Sequence, residues 1–298
     1  MVANQTKREC DTCKWIESQK DFFPNQETTH DVIHADVLTA LKTFEDNSFD
    51  LVIADPPYNI ISKNQTKLIK DHGLKTMGGE WKIFDESWDK DGLGEYITFT
   101  SNYLKEVKRI LKPEGSMWIF GTYHNIGLVN TCLRLLEIEI INEVIWYKKN
   151  AFPNLANRRL TASHENIIWA HSGKDTKRKY FFNGDYAKQI DNSEDELKVP
   201  NKQLRTVWSL SNNKKKEELI CGSYPAQKPL KVLKRMIEIS SNPGDLVLSI
   251  FAGSGSDACA SLETGRNSVS IENDQKAVKH FKKRLKKTYN YESKNRAI

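Results

Sequence analysis

Asp245-Leu246-Val247-Leu248-Ser249-Ile250-Phe251-Ala252-Gly253-Ser254-Gly255-Ser256 runs a short apolar strand into a glycine turn. The pattern Gly253-x-Gly255-x-x-Ala258 leads into a helical stretch, and a further short strand, Ser268–Ile271, ends at Glu272. Small residues let the backbone approach a ligand, and a carboxylate at the second strand end suits ribose hydroxyls. Alone, this fingerprint points to an NAD enzyme. Its place in the chain argues otherwise. Only one helix, Gln275–Lys287, follows Glu272, so the half-sheet begun here cannot be completed downstream. The missing strands must come from the N-terminus.

That end supplies them. A strand near Asp31–Ala35 ends at Asp36, a short helix carries Val37, Leu41 and Phe44, and Phe49–Ala54 is a buried strand. The expected sheet sets the strand ending at Asp36 beside the one ending at Asp55. Adenosine then lies across these strand ends, with Glu272 on the ribose and Asp36 near the adenine amino group. Asp55-Pro56-Pro57-Tyr58 follows the second strand, where open α/β sheets bind ligands. Two prolines hold the backbone extended and present their carbonyls as fixed acceptors. With the Asp55 carboxylate and the Tyr58 ring they suit a planar ring bearing an exocyclic NH2. A proline-stiffened turn with a surface Asp is the plainer reading, equally open on the tetrapeptide alone. A nucleoside cofactor beside an amine-binding acceptor row points to group transfer onto nitrogen.

The rest of the chain fits one large α/β domain with an insertion. It has 298 residues, 38% apolar content and seven tryptophans, enough for a substantial core. No stretch has the apolar length of a membrane span and the polar start is no signal peptide, so the expectation is a cytoplasmic protein. Five cysteines, an odd number, fit a reducing compartment. Cys10 and Cys13 have half a zinc spacing, with His30 and His34 the candidate completion. His34 reads as strand, so a terminal arm with reduced thiols is favoured and no metal is expected.

Ile97–Leu111 is expected as a helix, with Ile97, Leu104, Val107 and Leu111 on one face, stopped by Lys112-Pro113-Glu114-Gly115. Ser116–Phe120 reads as a strand, Ile126–Leu136 as a helix, and Ile138–Lys148 with Asn166–His171 as an antiparallel pair at a sheet edge. Residues 59–95 lack periodicity; starting beside Asp55, they read as a closing loop or a surface insertion. In 173–222, Lys174, Lys177, Arg178, Lys179, Lys198, Lys202, Arg205 and Lys214-Lys215-Lys216 interleave with Tyr180, Phe181, Phe182 and Trp208. Basic and aromatic residues together suit phosphate contact and base stacking, with an ordinary solvated insertion as the alternative. The Lys/Arg-rich outer face of the final helix reads as solvated. The net charge of +6 is itself a weak signal.

The two constellations together resemble the β class of amino-group DNA methyltransferases, in which the Asp-Pro-Pro-Tyr motif comes first and the S-adenosylmethionine loop last. Supporting stretches are Leu111–Ser116, Asn142–Lys148, His164–Trp169 and Tyr224–Pro229. The resemblance covers about residues 31–171 and 223–287. It implies a Rossmann-like S-adenosylmethionine-dependent methyltransferase sheet of the α/β class, circularly permuted, with an inserted target-recognition region. The division is an N-terminal arm at 1–29, a catalytic half at 30–172, recognition at 173–222 and a cofactor-binding half at 223–298. The implied catalytic residues are Asp55, Pro56, Pro57 and Tyr58. Those implied for S-adenosyl-L-methionine are Asp36, Val37, Lys228, Ser249, Phe251, Ala252, Gly253, Ser254, Gly255, Glu272 and Asn273.

The implied activity is site-specific methylation of adenine N6 in double-stranded DNA, within a restriction–modification system with a cognate restriction endonuclease. The implied protein is a monomer or homodimer, associated with a prokaryotic nucleoid and with no membrane. Asp at position 55 favours adenine; cytosine-N4 enzymes more often carry Ser there. Cytosine N4, an RNA or protein-amide acceptor, and a catalytically silent DNA-binding relative stay open. One departure bears on the last. Relatives usually have Asp-Pro before the loop's Phe, the Asp contacting the amino group of the cofactor's methionine, whereas this chain has Ser249-Ile250. Serine brings no charge, so weaker cofactor binding is expected.

Overall fold

The computed structural model describes residues 28–58, 75–76, 79–80, 92–151, 153, 158, 160–174, 179–190, 194–222, 224 and 226–296. Cys10, Cys13 and most of the 59–91 stretch lie outside them. In chain order the elements are β1 (His30–His34), α1 (Val37–Leu41), β2 (Phe49–Ala54), β3 (Lys75–Thr76), β4 (Gly79–Glu80), α2 (Leu93–Ile110), β5 (Leu111–Gly121) and α3 (Ile126–Leu135). They continue as β6 (Glu139–Tyr147), β7 (His164–His171), α4 (Gly184–Gln189), β8 (Val207–Ser209), a 3-10 turn (Lys216–Leu219) and α5 (Leu230–Ser240). Then follow β9 (Leu246–Ile250), α6 (Ser256–Glu263), β10 (Asn267–Glu272) and α7 (Gln275–Tyr289).

Eight strands form one sheet in the order β1-β10-β9-β2-β5-β7-β6-β8, while β3 and β4 make a separate hairpin. Strands β1, β10, β9, β2 and β5 are parallel, and β7 runs antiparallel to both β5 and β6. The C-terminal strands are thus completed by N-terminal ones, as expected. The expected adjacency of the Asp36 and Asp55 strands is wrong. β10 and β9 stand between them: β1 pairs with β10, and β2 pairs with β9. The β9-α6-β10 unit brings two strands, and both slot between the N-terminal pair.

Alternation along each central strand builds a core on both faces. Leu51 and Ile53 of β2 face a cluster holding Leu233, Met236, Phe281 and Leu285, while Val52 and Ala54 face one holding Leu41, Tyr103, Leu104 and Val107. α5, α6 and α7 cover the first face, and α1, α2 and α3 the second. Helix α2 starts four residues before its expected Ile97, because the Glu95 side chain accepts from Gly92 N at 2.9 Å. Its buried stripe is Tyr96, Thr100, Tyr103, Leu104, Val107 and Ile110, and Leu111 already belongs to β5.

The β6–β7 pair is not the sheet edge, since β8 adds outside β6 in parallel. That third strand comes from the basic segment and changes the reading of several of its residues. Trp208 is 1% exposed in the core, and Lys198 is buried with its ammonium on the carbonyls of Lys188, Val199 and Lys202. Lys174 donates to Asn47 Oδ1 and to the carbonyls of Arg109 and Leu111. Tyr180 packs against the core. These four hold the fold, because a segment docked on a sheet edge must bury its aromatic side and satisfy its own carbonyls.

The opposite edge is covered by the chain's own end. Val32 N donates to Lys294 O, and Arg296 N donates to Val32 O. His30 is buried between Ser268 and Thr28, and burial pushes its imidazole down to about 4. His34 bonds to the Asn273 carbonyl. Both histidines serve the β1 edge. Among the described residues, no helix is long and apolar enough to cross a membrane.

Candidate active site

Residues of the site converge at the carboxyl ends of β9, β2, β5 and β6, and at the amino end of the antiparallel β7. Asp55 leaves β2 there. Its Oδ1 accepts from Tyr58 Oη at 2.6 Å, and its Oδ2 accepts from Lys228 Nζ. Glu165, on β7, lies 3.7 Å from Lys228 Nζ, 3.3 Å from Tyr58 Oη and 2.5 Å from Lys148 Nζ. The order Lys148, Glu165, Lys228, Asp55 alternates charge across the site. Lys228 also sits over the rings of Phe120 and Tyr58, at 4.9 and 5.4 Å.

This set is largely dry: Lys228 is 8% exposed, Glu165 12% and Asp55 23%. Burial alone would raise the Glu165 carboxyl, but Lys228 and Lys148 hold it below the usual range. Burial would lower the Lys228 ammonium, and Asp55 and Glu165 instead raise it. Burial, with the charges of Asp55 and Glu165, pushes the Tyr58 phenol far up, so it stays a donor. Asp55 is thereby gripped by one donor on each carboxylate oxygen.

The structure modifies the expected tetrapeptide at two points. The Pro57 carbonyl accepts from Tyr96 Oη at 3.1 Å. The hydroxyl of Tyr58 is tied inward to Asp55. Lys228, expected with the cofactor residues, stands at the Asp55 carboxylate. Glu165 and Lys148 are not among the expected site residues, although both lie in stretches that carry the resemblance. Their signal is a charge at the end of a strand, Glu165 near the start of β7 and Lys148 directly after β6.

The glycine loop forms the other half. Phe251 adopts φ +71°, a strained left-handed conformation for a bulky residue. Ala252 N donates to Ile271 O, and Gly253 N donates to Glu272 Oε2 at 2.7 Å. The other oxygen of Glu272 accepts from Asp274 N at 2.8 Å. Gly255 has φ +75°, and a Cβ there would stand 2.3 Å from Phe281. Beneath the loop, Arg284 is 1% exposed and donates to Ser256 Oγ at 2.9 Å and to Ser254 Oγ at 3.3 Å. This arginine departs from the solvated face expected of the last helix, because it turns under the loop and not outward.

The remaining expected residues are spread along neighbouring strand ends. Asp36 is exposed and caps α1 through Thr39 N at 3.1 Å. Val37 is 6% exposed in the core, so only its backbone can reach a ligand. Asn273 is exposed just after β10. Ser249 is fully buried and donates to Asp257 Oδ2 at 2.6 Å. Burial, together with the nearby Asp55 charge, pushes Asp257 up to about 6.

Comparison with known proteins matches both halves of this site. A family profile described as DNA methylase, for N6 and N4 methyltransferases, matches residues 49–283. The type II methyltransferase M.HinfI of Haemophilus influenzae is 36% identical over 260 residues, which is 86% of this chain and 68% of the relative. M2.DpnII of Streptococcus pneumoniae is 32% identical over 256 residues, 85% of this chain and 88% of the relative. Among solved structures, the M1.HpyAVI–SAM complex aligns with TM-score 0.57 at 23% identity, over 86% of this chain and 99% of that one. The cytosine-N4-specific PvuII DNA methyltransferase aligns with TM-score 0.62 at 18% identity, over 90% and 96%. At such identities the structures speak for the fold, and the sequence matches speak for descent. The profile runs from the strand of Asp55 to the last helix behind the glycine loop, and on that span the chain belongs to the DNA methylase family.

Proposed function

We propose that the protein transfers a methyl group from S-adenosylmethionine to the N6 amino group of adenine at a specific site in double-stranded DNA, as the modification enzyme of a restriction–modification pair. The observation that carries this reading is the Asp55 carboxylate, fixed by Tyr58 and Lys228 and followed by Pro56, at a strand end adjoining the glycine loop.

The chain's residues fit the methyl donor. Gly253 and Gly255 bring backbone close to a ligand, Glu272 stands at the end of β10 for ribose hydroxyls, and a buried carboxylate, Asp257, suits a cationic group. When bound, S-adenosylmethionine supplies an electrophilic methyl on a sulfonium that is already a leaving group. The protein then has to align acceptor and donor.

The acceptor nitrogen is a poor nucleophile because its lone pair is delocalised into the ring. Hydrogen bonds from both amine protons, to Asp55 and to the Pro56 carbonyl, favour a pyramidal nitrogen with that pair free. Lys228 and Tyr58 orient Asp55, and each carboxylate oxygen keeps a second lone pair for the incoming amine. The base must leave the duplex to reach this pocket, and the Tyr58 ring is the surface offered for stacking. A carboxylate is the stronger acceptor for a charge-assisted bond, which with the resemblance supports adenine over cytosine.

Outside the pocket, the exposed Lys202, Arg205, Lys215, Lys216 and half-exposed Phe182 of the 173–222 segment are offered for phosphate and base contact. Incubation with labelled S-adenosylmethionine and duplex DNA, RNA or protein tests the reading. Label in duplex DNA, lost in Asp55→Ala, is the expected result; label only in RNA or protein would overturn it.

A further inference from the structure

Ser249 lies on β9 between Leu248 and Ile250, whose side chains face the α1–α3 core. Ser249 therefore points to the other face, where the first turn of α6 places Asp257. The two are bonded at 2.6 Å, and Asp257 is 8% exposed.

An interior aspartate normally has its charge compensated, and this fold contains the contrast. Asp195 is also buried, but it pairs with Arg235 at 2.5 Å and accepts from the amides of Leu197 and Ser209. Asp257 has a serine hydroxyl and, among the described residues, no ion pair. A charge so placed is costly unless something cationic meets it. Its electrostatic neighbours are Asp55 and Lys228 on the catalytic side and Arg284 beneath the loop. It thus stands where the glycine loop adjoins the catalytic carboxylate.

We infer that Asp257 is the acceptor for the α-ammonium of the methyl donor's amino-acid part, with Ser249 holding the carboxylate in position. This rests on the loop being the donor's site. A donor whose methyl reaches the amine at Asp55 must keep its sulfur close by, and its ammonium follows a few bonds away. The charge missing at Ser249 is thereby supplied from the helix that faces it. Ser249 is the positioning residue and Asp257 the binding one.

Calorimetry on the full chain with two probes tests this: S-adenosylhomocysteine, which carries the ammonium, and methylthioadenosine, which keeps the nucleoside and lacks the amino-acid part. In Asp257→Asn, binding of S-adenosylhomocysteine should weaken by about ten- to a hundredfold, the size of a lost charge-assisted bond, with methylthioadenosine within about twofold. Equal weakening of both probes would make Asp257 a structural support of the loop, and no weakening of either would remove it from the site; each overturns the inference. If Asp257→Asn fails to fold, the double variant Ser249→Asp/Asp257→Ser carries the test. It should bind S-adenosylhomocysteine at least about tenfold more tightly than Asp257→Ser alone, and equal affinity would overturn the inference. A wild-type protein that binds neither probe nor S-adenosylmethionine would instead sink the functional reading.

Discussion

Lys228 Nζ is bonded to Asp55 Oδ2 across 173 residues of chain, and this bond joins the N-terminal and C-terminal parts of the chain at the carboxylate proposed to be catalytic. Removing the cation leaves Asp55 and Glu165 close together in a largely dry site. Lys228→Met should cost about 3–5 kcal/mol, the cost of stranding a buried charge. The pH dependence of this part of the fold should weaken. In the wild type Glu165 is held below its ordinary 4.5, so its contribution is present above that pH and is lost as pH falls through the folded value. In Lys228→Met only Lys148 and the Tyr58 hydroxyl remain to oppose burial, so the stability lost between about pH 7 and about pH 3 should be smaller than in the wild type. Denaturant unfolding at both pH values checks this; a variant that tracks the wild type would contradict it.

Asp257 makes the opposite kind of contribution. Its folded value, about 6, exceeds its ordinary 3.8, so its stabilising contribution is full below pH 3.8 and is lost as pH rises through about 6. Asp257→Asn should then be more stable than wild type at pH 8, by about 2–3 kcal/mol, with little difference near pH 4. Unfolding free energies at the two pH values decide it. A variant less stable at pH 8 would mean the carboxylate supports the fold.

Gly255→Ala tests the loop's geometry. The left-handed φ of +75° and a Cβ 2.3 Å from Phe281 together should cost about 2–4 kcal/mol. Gly127→Ala is the control, since it lies inside α3 with open space around it and should gain about 0.5–1 kcal/mol. Thermal unfolding of both variants measures the difference; equal melting temperatures would show that the turn is not constrained.

For the basic segment, the exposed pair Lys215 and Lys216 is expected to touch phosphate. Replacing both by Glu should weaken DNA binding and reduce the salt slope by about 0.9 for each phosphate no longer neutralised. An unchanged slope, measured by titration across salt concentrations, would make them merely solvated.

The glycine loop, the Asp55 strand end and the need to complete the sheet from the N-terminus were legible because each is written in a few adjacent residues. The strand order was not. Nothing local to β1 says that the β9–β10 pair separates it from β2, since that is fixed by which apolar faces meet. Trp208 illustrates the same limit: beside lysines it reads as a stacking surface, yet β8 pairs with β6 and carries the ring into the core. Glu165 and Lys148 were visible as charges at strand ends and Lys228 as a charge just before a helix, but their mutual pairing is tertiary. The absence of a charge at Ser249 was plain in the sequence, whereas the carboxylate of Asp257 against it became apparent only with α6 in place.

Nucleoside mass spectrometry of duplex DNA treated with the pure protein and S-adenosylmethionine tests the central claim most directly. N6-methyladenine from the wild type, and none from Asp55→Ala, is the expected result. N4-methylcytosine as the sole product, or equal N6-methyladenine from the Asp55→Ala protein, would contradict it.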